Sequence, residues 1–478
     1  MRRWLLGGVL ALVGGIAHAS PPAIAQHTCP NGLTVLVVEN HALPLLTVEI
    51  TAKNGSMTEP PEYNGLSHLY EHMFFKANAV LPNQEAYLAR TRELGMEFNG
   101  TTSQERVNYY FTTTSDHFAD AMTFMRDAVV SPKFGADELD REREVVVGEI
   151  DRDESSPYYR LNEAIEHKVW WKYPSRKDPL GDRKTVRSAT VEMMQTIQHR
   201  YYVPNNSALV VTGDVDAQAV FALADQIYAG WPKAEDPFVK FPLVTHPPIP
   251  KSEVVVLSDP AVQTFTAEVT WQGPSTVGPT VNATYAADVL GTALGDPSSK
   301  FQKALVDSGL CVEAGLNWFT QENVGPITLE LQAEPAKADG CVQAAFAELA
   351  KIKSPDYFAD AELANAKHQL DVGQVKDREK PSSLAHTLTF WWTSAGLDYY
   401  VSYAANTAKV TREDIAAYLD AFVLAKPYVL GALVSPDVEK GGMNKDHLEK
   451  LLGIAAPPPV EPPSPPKGAK TKSKKGGR

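Results

Sequence analysis

The chain predicts an α+β fold built from two similar units in tandem. Three observations carry that expectation. Short apolar, β-branched runs alternate with stretches of helical periodicity. The pattern restarts 219 residues on: Val254-Val255-Val256-Leu257 resembles Val35-Leu36-Val37-Val38, and Ala267-Glu268-Val269 resembles Val48-Glu49-Ile50. Between the two units, residues 231–250 carry six prolines and read as a linker. The composition agrees with a folded chain: 478 residues, 44% hydrophobic and 22% charged, exclude a disordered protein and a multi-span membrane protein.

In chain order, residues 1–19 read as a signal peptide. Met1-Arg2-Arg3 is its basic start, residues 4–16 its apolar run and Ala17-His18-Ala19 its cleavage site. Thirteen apolar residues are short for a bilayer, and no later stretch is a span, so the mature protein is expected in the periplasm or outside the cell, with no integral membrane segment. Residues 33–39 and 45–53 read as strands, 65–75 as a helix, and 99–113 as a strand after an Asn-Gly turn. Residues 115–130 and 137–151 read as helices, and 209–211 as a strand. The expected divisions are an N-terminal domain at 20–235, a linker at 236–252, a C-terminal domain at 253–454 and a disordered Pro- and Lys-rich tail at 455–478.

Charge and cysteine content narrow the function. The net charge of −13 argues against nucleic acid as a partner. Setting aside Arg2, Arg3 and the basic tail leaves about −20 on the folded body. Cys29, Cys311 and Cys341 are too few for a disulfide scaffold or a four-cysteine zinc module; Cys311 and Cys341 could pair after export, and Cys29 reads as buried at a strand start.

The chemistry lies in Gly65-Leu66-Ser67-His68-Leu69-Tyr70-Glu71-His72-Met73-Phe74-Phe75. On a helix, Leu66, Leu69, Tyr70 and Met73 form a core stripe, and His68, Glu71 and His72 project from the other side. Two imidazoles one turn apart suit two nitrogen ligands of Zn2+, and Glu71 beside them can take a proton from water. A catalytic zinc takes a third protein ligand. The acidic helix at 137–151 offers Glu142 and Glu149, two turns apart on one face, and spacing leaves either as the ligand. The helix expected after the second unit's second strand, Tyr285-Ala286-Ala287-Asp288-Val289-Leu290-Gly291, has apolar or small residues at the ligand positions, so that unit reads as free of metal. His368, His386 and Trp391-Trp392 read as packing or surface residues.

His68-x-x-Glu71-His72, followed by Glu142-Arg143-Glu144-Val145-Val146-Val147-Gly148-Glu149, resembles the inverted zinc motif of the pitrilysin family of metallopeptidases, in its shorter two-domain branch. Pro30-Asn31-Gly32-Leu33, Phe98-Asn99-Gly100-Thr101-Thr102-Ser103 and Tyr202-Val203-Pro204-Asn205-Asn206 are further marks, in the family's order. The resemblance implies two α/β sandwich halves, each an antiparallel-rich sheet covered by helices, that form half of a clam-shell chamber. It implies one zinc per chain held by His68, His72 and Glu149, Glu71 as the base that activates water, and Glu142 as the carboxylate that orients a ligand. It also implies that an extended peptide substrate adds as a strand along Asn99, Gly100, Thr101, Thr102 and Ser103. The function implied is that of a zinc endopeptidase acting on peptides or unfolded segments; the alternative is a non-catalytic peptide-binding or core subunit of a processing complex.

One stretch departs from the family. Active single-chain relatives carry an Arg and a Tyr in the second half that hold substrate and steady the oxyanion. The matching stretch, Leu305-Val306-Asp307-Ser308-Gly309-Leu310-Cys311-Val312, is one residue shorter and has Val306 and Val312 at those positions, and neither can donate a hydrogen bond. The expectation is a metal-bearing subunit whose paralogous partner supplies the Arg and Tyr.

Overall fold

A computed structural model describes residues 22–454. The expected signal peptide at 1–19 and the expected tail at 455–478 lie outside the described residues. Strands β1 (Ala25–Thr28), β2 (Thr34–Glu39), β3 (Leu45–Ala52), β4 (Glu97–Thr102), β5 (Val107–Thr114) and β6 (Ser207–Gly213) form one sheet in the order β1-β2-β6-β3-β5-β4. Strands β7 (Glu253–Ser258), β8 (Phe265–Gln272), β9 (Glu313–Trp318), β10 (Pro326–Ala333) and β11 (Val429–Val434) form a second in the order β7-β11-β8-β10-β9. The second order repeats the first without β1. In each sheet one pair is parallel, β2 with β6 and β7 with β11, and the other pairs are antiparallel. The expected α+β class in two similar halves is therefore the fold.

The central strands are buried along nearly their whole length because both faces are covered. Inside the first half, β2, β3, β5 and β6 pack against helices Leu66–Phe74, Phe118–Val130 and Ala136–Glu154. The opposite face is covered by the other half: Leu36, Val38 and Val210 meet Leu384, Ala385 and Leu388 of helix Pro381–Ser394. The exchange is reciprocal. Leu161, Ile165 and Val169 of helix Pro157–Val169 pack on Val429 and Leu433 of β11. A Cβ on Gly431 would lie 2.4 Å from Ile165 Cδ1, so glycine lets that helix approach. Buried Glu49 on β3 adds a polar tie, accepting from Asn108 Nδ2 at 2.8 Å and Thr389 Oγ1 at 2.6 Å and pairing with His386.

Two local expectations need correction. Residues 99–113 are two strands, β4 and β5, and the Asn99-Gly100 pair lies inside β4. The turn is at 103–106, where Ser103 N–H donates to the Arg106 carbonyl at 2.8 Å. Cys29 is buried, in the bend after β1 rather than in a strand. Within the segment 236–252, Asp236 caps a short helix, Pro237–Lys240. Cys311 and Cys341 are bridged, their Cα atoms 5.1 Å apart within the second core. Among the described residues no helix is long and apolar enough to cross a membrane.

Candidate metal centre

Helix Leu66–Phe74 is fixed at its start by two devices. Gly65 takes a left-handed conformation, φ +87°, where a Cβ would fall 2.7 Å from the Leu180 carbonyl. The buried Glu59 carboxylate accepts from Gly65 N–H at 2.7 Å and Ser67 N–H at 2.5 Å, filling the place of an N-cap. Burial, only partly offset by those hydrogen bonds, raises its pKa to about 7. The core stripe is as the spacing predicts: Leu66, Leu69, Tyr70, Met73 and Phe74 are buried, and Tyr70 stacks on Tyr202 with its hydroxyl on Gln198. The rotation of the helix is thereby set, and His68, Glu71 and His72 face away from the core.

They face helix Ala136–Glu154, whose Leu139, Val146 and Ile150 are buried. Nε2 of His68 lies 3.4 Å and Nε2 of His72 3.6 Å from the same oxygen, Glu149 Oε2. Ligand atoms of the three residues all lie within 4.8 Å of one another. Glu142 stands behind them: Oε2 meets His72 Nδ1 at 3.1 Å and Oε1 meets Lys76 Nζ at 2.8 Å. Spacing left Glu142 and Glu149 equivalent; the geometry separates them, one beside both Nε2 atoms and the other on the far side of one ring. An Nδ1–H donated to Glu142 leaves Nε2 of His72 with its lone pair free for a metal.

The electrostatics follow from burial and these pairs. Burial, with the His72 charge, lowers the pKa of His68 to about 4, so its imidazole is neutral near pH 7. Burial opposes charge on His72 as well, but the Glu142 hydrogen bond and the neighbouring carboxylates outweigh it and its pKa rises. For Glu142, burial is outweighed by His72 and Lys76, and its pKa falls. Glu71 is held above the ordinary carboxylate range by burial, with Glu149 adding, while the Thr102 hydrogen bond and His72 oppose. A two-nitrogen, one-carboxylate donor set with a raised carboxylate beside it fits a catalytic zinc.

The expected substrate strand is next to Glu71. β4 is the outermost strand of its sheet, with one edge paired to β5. Thr102 Oγ1 donates to Glu71 Oε2 at 2.8 Å. A Cβ on Gly100 would lie 2.9 Å from Glu71 Cγ and 3.0 Å from Oε1, so the glycine is where the base passes under the strand. Asn99 Oδ1 accepts from the Gly100 N–H at 2.9 Å. Thr101 is exposed in β4, and Ser103 falls in the turn just beyond it. Sequence reasoning missed Lys76 and the Thr102–Glu71 bond. Lys76 lies four residues after His72, so helical spacing could have found it; nothing in the sequence pairs Thr102 with Glu71.

A second group of donor residues, His27, Cys29 and Asp225, lies where β1 meets helix Ala217–Ile227. There His27 Nε2 and Asp225 Oδ1 are 2.9 Å apart, and burial, with Asp225, pushes the Cys29 thiol up to about 12. That group is a hydrogen bond between His27 and Asp225 beside a buried thiol, tying the edge strand to the helix.

The insulinase family (peptidase family M16) matches residues 34–181, and the peptidase M16 inactive domain matches residues 188–370. The zinc protease YmxG of Bacillus subtilis, itself described as uncharacterized, is 28% identical over 192 residues, 40% of this chain and 47% of that protein. The probable mitochondrial-processing peptidase subunit beta of Arabidopsis thaliana is 26% identical over 281 residues, 55% of this chain and 52% of that one. The chain thus spans about half the length of these curated relatives. A protease from Helicobacter pylori superposes with a TM-score of 0.78 at 21% identity, over 86% of this chain and 100% of that one. The periplasmic protease PqqL of Escherichia coli does so with 0.73 at 16% identity, over 95% and 52%. At such identities the two structures establish the fold alone, and it is the same two-half fold. With family models matching residues 34–181 and 188–370, the chain belongs to the peptidase M16, or pitrilysin, family.

Proposed function

We propose that this chain is an exported zinc-dependent endopeptidase that hydrolyses peptides or unfolded polypeptide segments. The observation that carries the reading is the approach of His68 and His72 Nε2 to one oxygen of Glu149, with the Glu71 carboxylate alongside. His68, His72 and Glu149 would hold one Zn2+, with Glu142 and Lys76 fixing the His72 ring. When bound, zinc supplies Lewis acidity toward water and toward the scissile carbonyl. Glu71, held above the ordinary carboxylate range by burial, accepts the proton of the attacking water and later gives it to the leaving amine. Thr102 holds the carboxylate through Oε2 during both transfers. An extended peptide pairs with the outer edge of β4 along Asn99, Gly100, Thr101 and Thr102, up to Ser103, and backbone pairing gives affinity with little sequence preference. Residues 20–235 form the catalytic domain, 236–252 the linker and 253–454 the metal-free domain.

Export is supported by the leader at 1–19 and by the Cys311–Cys341 bridge, which suits an oxidising compartment. The PqqL protease that shares the fold is periplasmic. A partner is supported by the second half: Val306 is half-buried and Val312 exposed, and neither offers a donor for a developing oxyanion. The chain is then the metal-bearing subunit of a heterodimer whose paralogue supplies Arg and Tyr. The match of residues 188–370 to an inactive domain favours a second reading, a non-catalytic peptide-binding or core subunit.

The test is peptide turnover by the zinc-loaded chain, alone and mixed with a paralogue that lacks HxxEH and keeps Arg and Tyr. Loss of such donors predicts a lone chain slower by ~100-fold or more. Full activity of the isolated chain, unchanged by the paralogue, removes the heterodimer. Stoichiometric zinc without turnover in either preparation removes the peptidase and leaves the binding subunit.

A further inference from the structure

The tip of the β4–β5 hairpin is held by the other half of the molecule. Glu105, in the turn, is 3% exposed. Its Oε2 accepts from the Glu322 N–H at 2.8 Å and its Oε1 from the Asn323 N–H at 2.7 Å, both in the loop between β9 and β10. Lys177, also 3% exposed, lies under the same loop. Its Nζ donates to the carbonyls of Asn323 at 2.7 Å and Val324 at 2.8 Å and to the Gln321 side chain. Within that loop Val324 has φ +60°, a left-handed conformation that a β-branched residue keeps only where its surroundings impose it.

The neighbouring residue reaches a different part of the second half. Arg106 Nη1 donates to the His386 carbonyl at 2.9 Å and to Thr389 Oγ1 at 3.0 Å. From the first half, Met57 N–H donates to the Gln104 carbonyl at 2.9 Å. A Cβ on Gly55, φ +133°, would fall 2.2 Å from the Ser103 carbonyl. A hairpin turn needs no such anchoring; its own ladder closes it. Here a buried carboxylate, a buried ammonium and a strained valine gather at one end of a strand whose Gly100 and Thr102 touch Glu71. Burying those ions costs desolvation that only a defined geometry offsets.

We propose that Glu105 and Lys177 are positioning residues through which the metal-free half, by its β9–β10 loop, sets the placement of β4 beside Glu71 and so the presentation of an added peptide strand. This rests on the reading of β4 as the substrate strand of a peptidase. The second half then contributes to the reaction without a ligand or base of its own. Glu71 and the three proposed metal-binding side chains sit on helices Leu66–Phe74 and Ala136–Glu154, and Thr102 is paired with Val107 inside the β4–β5 ladder, so loosening the hairpin tip weakens peptide pairing while the Thr102–Glu71 bond and the metal stay in place.

The test uses the full chain and dye-labelled casein, an unfolded polypeptide. Affinity is read by anisotropy in a Glu71→Gln background, and turnover with Glu71 intact. Glu105→Gln keeps the shape but sets an NH2 donor against a backbone N–H. Loss of a charge-assisted hydrogen bond predicts a rise of ~10-fold in both Kd and KM. A change in kcat within about twofold, with zinc content at the parental level, marks lost uniform binding. Gln321→Leu, on the loop side, shifts Kd and KM the same way by less and decides the matter if Glu105→Gln does not fold. Unchanged Kd and KM in a folded variant overturn the proposal, as does a joint loss of zinc, kcat and melting temperature, which marks a purely structural tie. A parent that binds casein but does not cleave it, either alone or mixed with the paralogue, sinks the peptidase reading alone. A parent that cleaves it, with Glu105→Gln at parental KM, sinks this proposal alone.

Discussion

In the first half, the helix that follows β3, Leu66–Phe74, turns His68, Glu71 and His72 toward Glu149 and the outer strand β4. In the second half, the helix that follows β8, Val281–Gly295, is closed over by helices Asp360–Lys376, Leu397–Thr407 and Arg412–Phe422. The strand order around the two helices is the same. The second helix carries one acid, Asp288, half-buried, whose Oδ2 accepts from the Tyr403 hydroxyl at 2.8 Å among Tyr285, Tyr399 and Trp391. A shared architecture therefore leaves the chemistry open; what decides it is whether the polar face of that helix meets other ligands and an open strand or a lid of helices.

The comparison breaks most sharply at Glu71. Glu71→Gln keeps the shape and the Thr102 hydrogen bond but cannot accept the proton, so peptide turnover should fall by ~100-fold to ~10,000-fold with zinc retained. Turnover near the parental rate would mean that another group is the base. Gly100→Ala comes next. The new Cβ presses on the Glu71 side chain, and a base displaced by about an ångström predicts a loss of ~100-fold in kcat, again with zinc retained. Glu142→Gln leaves the three proposed ligands but weakens the hold on His72, and zinc affinity measured by chelator competition should fall by ~10-fold to ~100-fold.

The smallest effect belongs to the second half and is one of pH. Burial raises the Asp288 carboxyl from 3.8 to about 7 against the opposing Tyr403 hydrogen bond. Between those values the folded chain holds a proton that the unfolded chain lacks. Its contribution to stability is full below pH 3.8, declines as pH rises and is lost above about 7. Asp288→Asn should flatten that part of the slope, read as urea midpoints at pH 5 and pH 8, with zinc binding unchanged. A parental slope in the variant would assign the pH dependence to other groups.

Much of this contrast was legible in the sequence because it rests on local periodicity. The 219-residue offset carries Thr34–Glu39 onto Glu253–Ser258, and the i, i+3, i+4, i+7 stripe fixed which side of Leu66–Phe74 is buried. What was not legible depends on tertiary approach. Asn-Gly read as a turn because that pair favours one in isolation; in the fold Gly100 is needed inside a strand for the passage of Glu71. Spacing could not choose between Glu142 and Glu149, since both lie on one helical face and only the rotation of the facing helix separates them. The seating of Glu105 and Lys177 under a loop 146 to 218 residues away left no mark at all in the local pattern.

The central claim is that His68, His72 and Glu149 of the first half make a zinc site and that the second half makes none. The direct measurement is zinc per chain after dialysis, by elemental mass spectrometry, for the parent and for Glu149→Gln, both shown to be folded by circular dichroism. The account predicts one zinc in the parent, as a three-ligand site requires, and a loss of at least ~10-fold in retained zinc when the carboxylate ligand is removed. Equal zinc in the two proteins would contradict it.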